Sequence, residues 1–227
     1  MMHKALIGFD INEYPEIEIF QKYFECDFCE YSEDYFNKNI SQYSILVPHL
    51  YLKLTHEHIN KASNLKYIFT PSTGTNHLDL KAINNNDINL YCLSDNAEFI
   101  SEISSTAELA WLLILAANRK ILQLNKRVLT ENSWKNNDLR GNQLKNKTIG
   151  IIGFGRLGKM IFNYAKSFDM NILIYDTDKS STIGYEDYAK DFNELLKESD
   201  IITLHPKLNE ISFEMINSET LKHMKEG

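Results

Sequence analysis

Apolar runs and helical periodicities alternate along most of the 227-residue chain. The runs "ALIGF" (5–9), "SILVP" (44–48), "LKYIFT" (65–70) and "INLYCL" (88–93) each read as a short strand. Helical patterns fall between them: near Glu16–Phe24, in "THEHINKAS" with Thr55 as the N-cap, and in "HLDLKAINNN", which stops in an Asn-rich turn. Strand–helix alternation of this kind predicts a parallel sheet covered on both faces. From about Asn96 to Glu131 the rhythm changes to one long helical pattern without Gly or Pro. Its centre, "LAWLLILAA", is apolar nearly all round, which predicts burial at a domain junction or a subunit interface. The boundary falls before it, giving domains 1–97 and 98–227. After the loop "NSWKNNDLRGNQLKNK" come "TIGIIG", a helix, "NILIYD" as a strand, "EDYAKD" as a short strand, "FNELLKES" as a helix and "DIITLH" as a strand. A closing helix starts at Ser218 and Glu219, with Gly227 where a C-terminal cap would sit.

Composition narrows the class. At 43% hydrophobic and 24% charged residues the chain can bury a core and stay in water. A net charge of −7 gives no basic footprint, which argues against nucleic acid. "LAWLLILAA" is too short to span a bilayer, and the start of the chain lacks the apolar segment of a signal peptide. No membrane partner is expected, and the cytoplasm is the expected compartment. The three cysteines do not suggest a disulfide framework. Cys26 and Cys29 form a C-x-x-C, but no second pair or matching histidines suggest zinc, and Glu25, Asp27 and Glu30 would raise a thiol pKa. No metal site is expected.

"IGIIGFGRLGK" carries the chemistry. Gly153, Gly155 and Gly158 form G-x-G-x-x-G between a strand and a helix, and the next strand ends in Asp176. This is the order a dinucleotide site requires. Gly153 permits the tight turn, Gly155 the approach of a pyrophosphate, and Gly158 close helix–strand packing. The amides of Arg156 and Leu157 stand at a helix N-terminus, where the dipole favours phosphate. Asp176 would accept hydrogen bonds from the adenosine ribose and repel a 2′-phosphate, so NAD is favoured over NADP.

With these motifs in place the chain resembles the D-isomer-specific 2-hydroxyacid dehydrogenases from about Leu65 onward. "LKYIFTPSTGTNHLDL" resembles the family's substrate loop, and "STAELAWLLILAANRK" the helix that opens its cofactor domain. "SWKNNDLRGNQLKNKTIGIIGFGRLGK" and "LLKESDIITLHPKLNEISFEMINSETLKHMKEG" resemble the stretches before and after its glycine loop. The resemblance implies an α/β enzyme: a flavodoxin-like N-terminal substrate domain plus an incomplete Rossmann NAD-binding domain. It implies transfer of a hydride between NAD(H) and a small 2-hydroxy or 2-keto acid. It places the substrate carboxylate on backbone amides at Thr73 and Gly74, Thr106 near the nicotinamide, and His205 and Pro206 on a wall of the cofactor pocket. In "LHPKLNE" the proline comes one place earlier than is usual in the family. The resemblance also implies a homodimer built through the helix around 98–131.

The family's catalytic Arg, Glu and His follow the segment matching "KEG" and are expected beyond Gly227. On this reading none is among these residues, the 227-residue form is inactive, and "IITLH" is an apolar edge strand that leaves the fold marginal. The chain's own histidines are weak substitutes. His77 reads as a structural loop residue and His205 as cofactor-wall packing, while His56 and His58 read as solvated on a surface helix. The alternative function is a non-catalytic module that binds NAD or dimerises, or the remnant of a disrupted gene.

Overall fold

The elements follow from where β-branched and apolar residues cluster. In a computed structural model, which describes residues 2–29, 33–131 and 139–226, the chain divides into two units, Met1–Ile100 and Ser101–Gly227. The expected C-cap at Gly227 and the "NSWKNND" part of the long loop lie outside the described residues.

The first unit is a five-stranded parallel sheet in the order β2-β1-β3-β4-β5. Its strands are β1 (Lys4–Ile7), β2 (Glu25–Phe28), β3 (Ile45–Val47), β4 (Tyr67–Thr70) and β5 (Asn89–Cys92). This is the flavodoxin-like order. Helices α1 (Glu33–Asn39), α2 (His56–Lys61) and α3 (Leu80–Asn85) cover one face, where Leu6, Leu46 and Ile68 join Phe36, Ile59 and Ile83 in one buried cluster. The opposite face packs Ala5, Ile7, Ile45 and Val47 against Ile17 and Phe20. Those two come from Pro15–Lys22, a 3-10 helix rather than the α-helix the pattern suggests, and it starts on a proline. Thr55 and Asp79 stand at the N-caps of α2 and α3, and the Asp79 side chain accepts from the Ala82 amide. His58 corrects an expectation. It is buried, packs edge-on against Phe36, and its Nδ1 lies 3.1 Å from the Lys53 carbonyl.

The long helix expected over 98–131 is three helices: α4 (Ala97–Ser101), α5 (Ser105–Asn118) and α6 (Ile121–Glu131). Lys120 takes a left-handed φ of 53°, which ends α5 and restarts the chain in a new direction. Neither break needs Gly or Pro, so the pattern hides both. Ala97–Asn118 is long and apolar enough to pass for a membrane span by length and composition alone. The break before α5 leaves 14 continuous helical residues, roughly 21 Å of helix against about 30 Å of hydrocarbon. Only Ala107 and Trp111 of α5 are buried; Leu109, Leu112 and Leu113 stay more than half exposed.

The second unit holds β6 (Thr148–Ile152), α7 (Arg156–Ser167), β7 (Asn171–Tyr175), α8 (Phe192–Glu198), β8 (Ile201–Leu204) and α9 (Ser218–Leu221). Its three strands are parallel, in the order β7-β6-β8. "EDYAKD" contributes a 3-10 turn and one bridge, Ala189 to Ile174, on the far side of β7. The chain thus lays down β6, β7 and this bridge in one direction, then crosses to the other side of β6 for β8. Helices α5 and α7 pack on one face, with Trp111 against Tyr164 and Phe168. Helix α8 packs on the other, with Leu195 and Leu196 fully buried. The Asn217 side chain caps α9, accepting from the Glu219 and Thr220 amides.

Candidate functional site

In open parallel sheets ligands bind outside the carboxyl ends of the strands, where the strand order reverses. In the second unit that point lies between β6 and β8. Three glycines shape it. Gly153 follows β6 with φ +87°, a backbone shape that disfavours side chains. A Cβ there would also stand 2.5 Å from the carbonyl carbon of His205 and the nitrogen of Pro206. The turn is therefore left-handed and pressed against the chain leaving β8. Gly158 lies one turn into α7, and a Cβ would collide with the Gly153 carbonyl oxygen. Gly155 differs: a Cβ would meet nothing within 4 Å. It is exposed and serves as N-cap of α7 without a side-chain cap bond, so the first amides of the helix, at Arg156 and Leu157, face no capping side chain. The space a side chain would fill is the space a phosphate group needs.

Phe154 points the other way. It is fully buried and meets Phe162 and Tyr185 edge-on, which fastens the turn to the segment after β7. Its amide donates to Asp176 Oδ2 at 2.6 Å. Asp176 Oδ1 accepts from the Asp178 amide at 2.8 Å. Both carboxylate oxygens are thus oriented by backbone, and each keeps a lone pair for a ligand hydroxyl.

His205 continues from β8, its amide bound to the Ile152 carbonyl at 2.7 Å. Its Nε2 lies 2.8 Å from Thr203 Oγ1, and burial pushes the imidazole pKa below its ordinary value. A neutral ring held this way packs and accepts or donates one bond; it is a poor acid at neutral pH. The Arg156 guanidinium bonds the Ile103 carbonyl, just before Thr106 on α5. Its side chain is therefore directed at the segment before α5.

These groups line one cleft of about 340 Å³ that brings together Gly153, Gly155, Asp176, His205 and Pro206. Its remaining wall includes Tyr175, Asp178 and the segment Lys207–Met215, which the sequence reading does not single out. The only sequence signal for that segment is its turn chemistry: Asn209 Oδ1 accepts from the amides of Ile211 and Ser212. Thr106 is exposed in the first turn of α5 and does not line the cleft. Thr73 and Gly74 belong to the first unit, in an exposed loop after β4. Among the described residues no group of His, Cys, Asp or Glu is placed to hold a metal ion, and Cys26, Cys29 and Cys92 are free thiols. Burial raises the pKa of all three.

A profile of the D-isomer specific 2-hydroxyacid dehydrogenase NAD-binding domain matches residues 111–227. The chain belongs to this family. Its glycine turn, oriented Asp176 and switch-point cleft fit a dinucleotide, as the family's NAD-binding domain requires. A hydroxypyruvate reductase of Thermotoga maritima is 33% identical over 195 residues, 86% of this chain and 61% of that protein. A D-3-phosphoglycerate dehydrogenase of Methanocaldococcus jannaschii is 35% identical over 194 residues, 84% of this chain and 36% of that protein. The chain thus spans between about a third and three-fifths of the length of these curated relatives. Among solved structures, D-lactate dehydrogenase from Aquifex aeolicus, complexed with NAD and lactic acid, superimposes with a TM-score of 0.86. The two are 25% identical, and the match covers 99% of this chain and 66% of the other.

Proposed function

We propose that this chain serves an NAD-dependent 2-hydroxyacid dehydrogenase, with 98–227 holding the cofactor and 1–97 presenting the substrate loop. The observation that carries the reading is the open space at Gly155 beside an Asp176 whose two oxygens are already oriented by backbone amides. Bound NAD supplies the hydride acceptor, or NADH the donor. The chain's residues supply the rest of the binding. The α7 amides of Arg156 and Leu157 receive the pyrophosphate. Asp176 receives the ribose hydroxyls and repels a 2′-phosphate. His205 and Pro206 wall the pocket, and Thr106 lies toward the nicotinamide. In the first unit the amides of Thr73 and Gly74 receive the carboxylate of a small 2-hydroxy or 2-keto acid.

Reduction of a keto acid also needs a proton donor and a cation at the carbonyl oxygen. His205 is held neutral and bonded to Thr203, and His77 is bonded to Thr70. Neither has the freedom of a proton donor. On this reading neither histidine is the proton donor, and the chain is expected to bind NADH without turning over a keto acid. The observation favouring a plain binding or dimerising module is the same one: a cofactor cleft whose own histidine, His205, is bonded to Thr203.

A homodimer through α5 is part of the proposal. Leu109, Leu112 and Leu113 leave an apolar face in water, and Ala110, Leu113 and Ile114 border a groove against Ile202 and Leu204 of β8. Leu112→Glu is expected to convert the dimer to a monomer in sedimentation. Free thiols at all three cysteines suit the cytoplasm.

Titration of NADH and NADPH, followed by turnover assays with glyoxylate, hydroxypyruvate and pyruvate, tests the reading. Saturable NADH binding, about tenfold or more tighter than NADPH, with no turnover by this chain is the expected outcome. Equal affinity for the two cofactors removes the ribose role of Asp176. Turnover by the 227 residues refutes the binding-only account.

A further inference from the structure

Unit one carries a chain of hydrogen bonds with a direction. Thr70 ends β4 and is buried, 4% exposed, although its side chain is a hydroxyl. Its Oγ1 lies 2.8 Å from Ser72 Oγ and 3.2 Å from His77 Nε2. Ser72 Oγ donates to the Gly74 carbonyl oxygen at 2.6 Å. A carbonyl only accepts, so the one hydroxyl hydrogen of Ser72 is committed there. Thr70 must then donate to Ser72. With its own hydrogen committed, Thr70 can only accept from His77. The bonds therefore run His77 Nε2–H to Thr70, Thr70 to Ser72, and Ser72 to the Gly74 carbonyl.

His77 is well anchored to act as the head of this chain. Its carbonyl accepts from the Leu54 amide at 2.7 Å, and Leu78 beside it is buried. Burial also holds its imidazole pKa below the ordinary value, which favours the neutral ring, and the order of the bonds puts the hydrogen of that ring on Nε2. The other end is bare. Gly74 is exposed, and a Cβ on it would touch only the Asn76 side chain, at 4.0 Å. Among the described residues the amides of Thr73, Gly74 and Thr75 have no acceptor. Backbone bonds hold the two ends of the turn, from the Leu93 amide to the Ser72 carbonyl and from the Leu78 amide to the Thr75 carbonyl, and between them the hydroxyl chain holds the Gly74 carbonyl.

We propose that His77 is a positioning residue that holds the 72–75 turn in a ligand-ready shape through Thr70 and Ser72. By fixing the Gly74 carbonyl it fixes the Gly74–Thr75 peptide plane, and so limits the orientations of the neighbouring unpaired amides. The inference rests on the reading of this loop as the carboxylate site, but the two fail separately.

The test uses the 15N-labelled 227-residue chain. A long-range proton–nitrogen spectrum of the wild type is expected to show His77 with its hydrogen on Nε2. Backbone order parameters at 72–76 are expected near those of rigid backbone, about 0.85, falling below about 0.6 in His77→Leu and Thr70→Val. His77→Gln keeps an N–H at similar reach and is expected to retain the order. Oxalate, a two-carbon dicarboxylate, probes the amides. It is expected to shift the Thr73 and Gly74 resonances in the wild type, and to bind about tenfold more weakly to His77→Leu but not to His77→Gln. A hydrogen on Nδ1, or unchanged order in both disrupting variants, overturns the positioning role. Ordered wild-type amides that oxalate does not shift overturn the carboxylate reading and leave the hydroxyl chain standing. The wild-type spectrum decides even if Thr70→Val fails to fold.

Discussion

Both units offer the same topological opening, and they line it with different chemistry. In the first, the strand order reverses between β1 and β3, and there Gly8 is followed by Phe9, and Pro48 by His49. Phe9 packs on His49 with ring centroids 5.1 Å apart, and His49 on Tyr51 at 4.7 Å. A cavity of about 20 Å³ remains between Gly8 and His49, about the volume of one water, and a separate groove of about 450 Å³ that Phe9 and Val47 also line is walled mainly by apolar and aromatic residues such as Phe20 and Phe69. In the second unit the matching point, between β6 and β8, holds a cleft of about 340 Å³. Topology thus supplies a location and the residues at the strand ends decide its use. Aromatic rings crowd one opening and make its surroundings apolar. Glycines with an orienting acid keep the other open and give it donors and acceptors.

The comparison predicts that glycines at the two sites fail in different ways. The largest effect is expected from Gly153→Ala and Gly158→Ala, whose added methyl groups meet backbone that cannot yield. Each should cost about 3 kcal/mol or more of stability and abolish NADH binding, read by thermal melts and titration. Gly155→Ala should separate the two readouts. Its φ of −76° suits alanine and its surroundings are open. Stability should stay within about 0.5 kcal/mol, while NADH affinity falls on the order of 100-fold, or ~2.7 kcal/mol. If Gly155→Ala binds NADH normally, the open space is not a phosphate site.

Asp176→Ala should weaken NADH by about 30-fold, near 2 kcal/mol, and narrow the gap to NADPH in parallel titrations. In the first unit's opening, Gly8→Ala places a Cβ 2.8 Å from the His49 amide nitrogen. It should cost about 1–3 kcal/mol in melts and leave NADH affinity unchanged. A change in affinity would mean that the first unit's opening influences binding.

The smallest effect concerns acid stability. Asp200 accepts from the Thr148 amide and pairs with Lys225 at 3.0 Å, and the two together hold its pKa below the ordinary 3.8. The folded state thus keeps this carboxylate ionised further into acid than the unfolded chain does. Its contribution is present above the unfolded pKa and lost as pH falls through the folded one. Asp200→Asn should lower the melting temperature on the order of 1 °C at pH 7, with the difference closing below the ordinary carboxylate pKa.

What the sequence made legible was local. Gly153, Gly155, Gly158 and Asp176 lie within one strand–helix–strand unit, so spacing alone could assign their roles to one turn. The parallel sheets were legible because their central strands are continuous apolar runs, while the flavodoxin-like and Rossmann assignments came from the family resemblance. β2 was missed because "ECDF" alternates charge with apolar residues at a sheet edge, where burial is incomplete. The helix breaks before Ser105 and at Lys120 were missed because ordinary residues make them. His58 was misread because a histidine among polar neighbours gives no sign that Phe36 covers it. The Lys207–Met215 wall reaches the cleft by folding back after β8, which no local pattern encodes.

The most direct test of the central claim is to titrate NADH into the 15N-labelled chain and map the amide shifts. The account predicts saturable shifts at Gly153–Gly158, Asp176–Asp178 and His205–Ser212, with Gly8, Phe9 and His49 unmoved. Shifts centred on Gly8 and His49, or no saturable shift in the second unit, would contradict it.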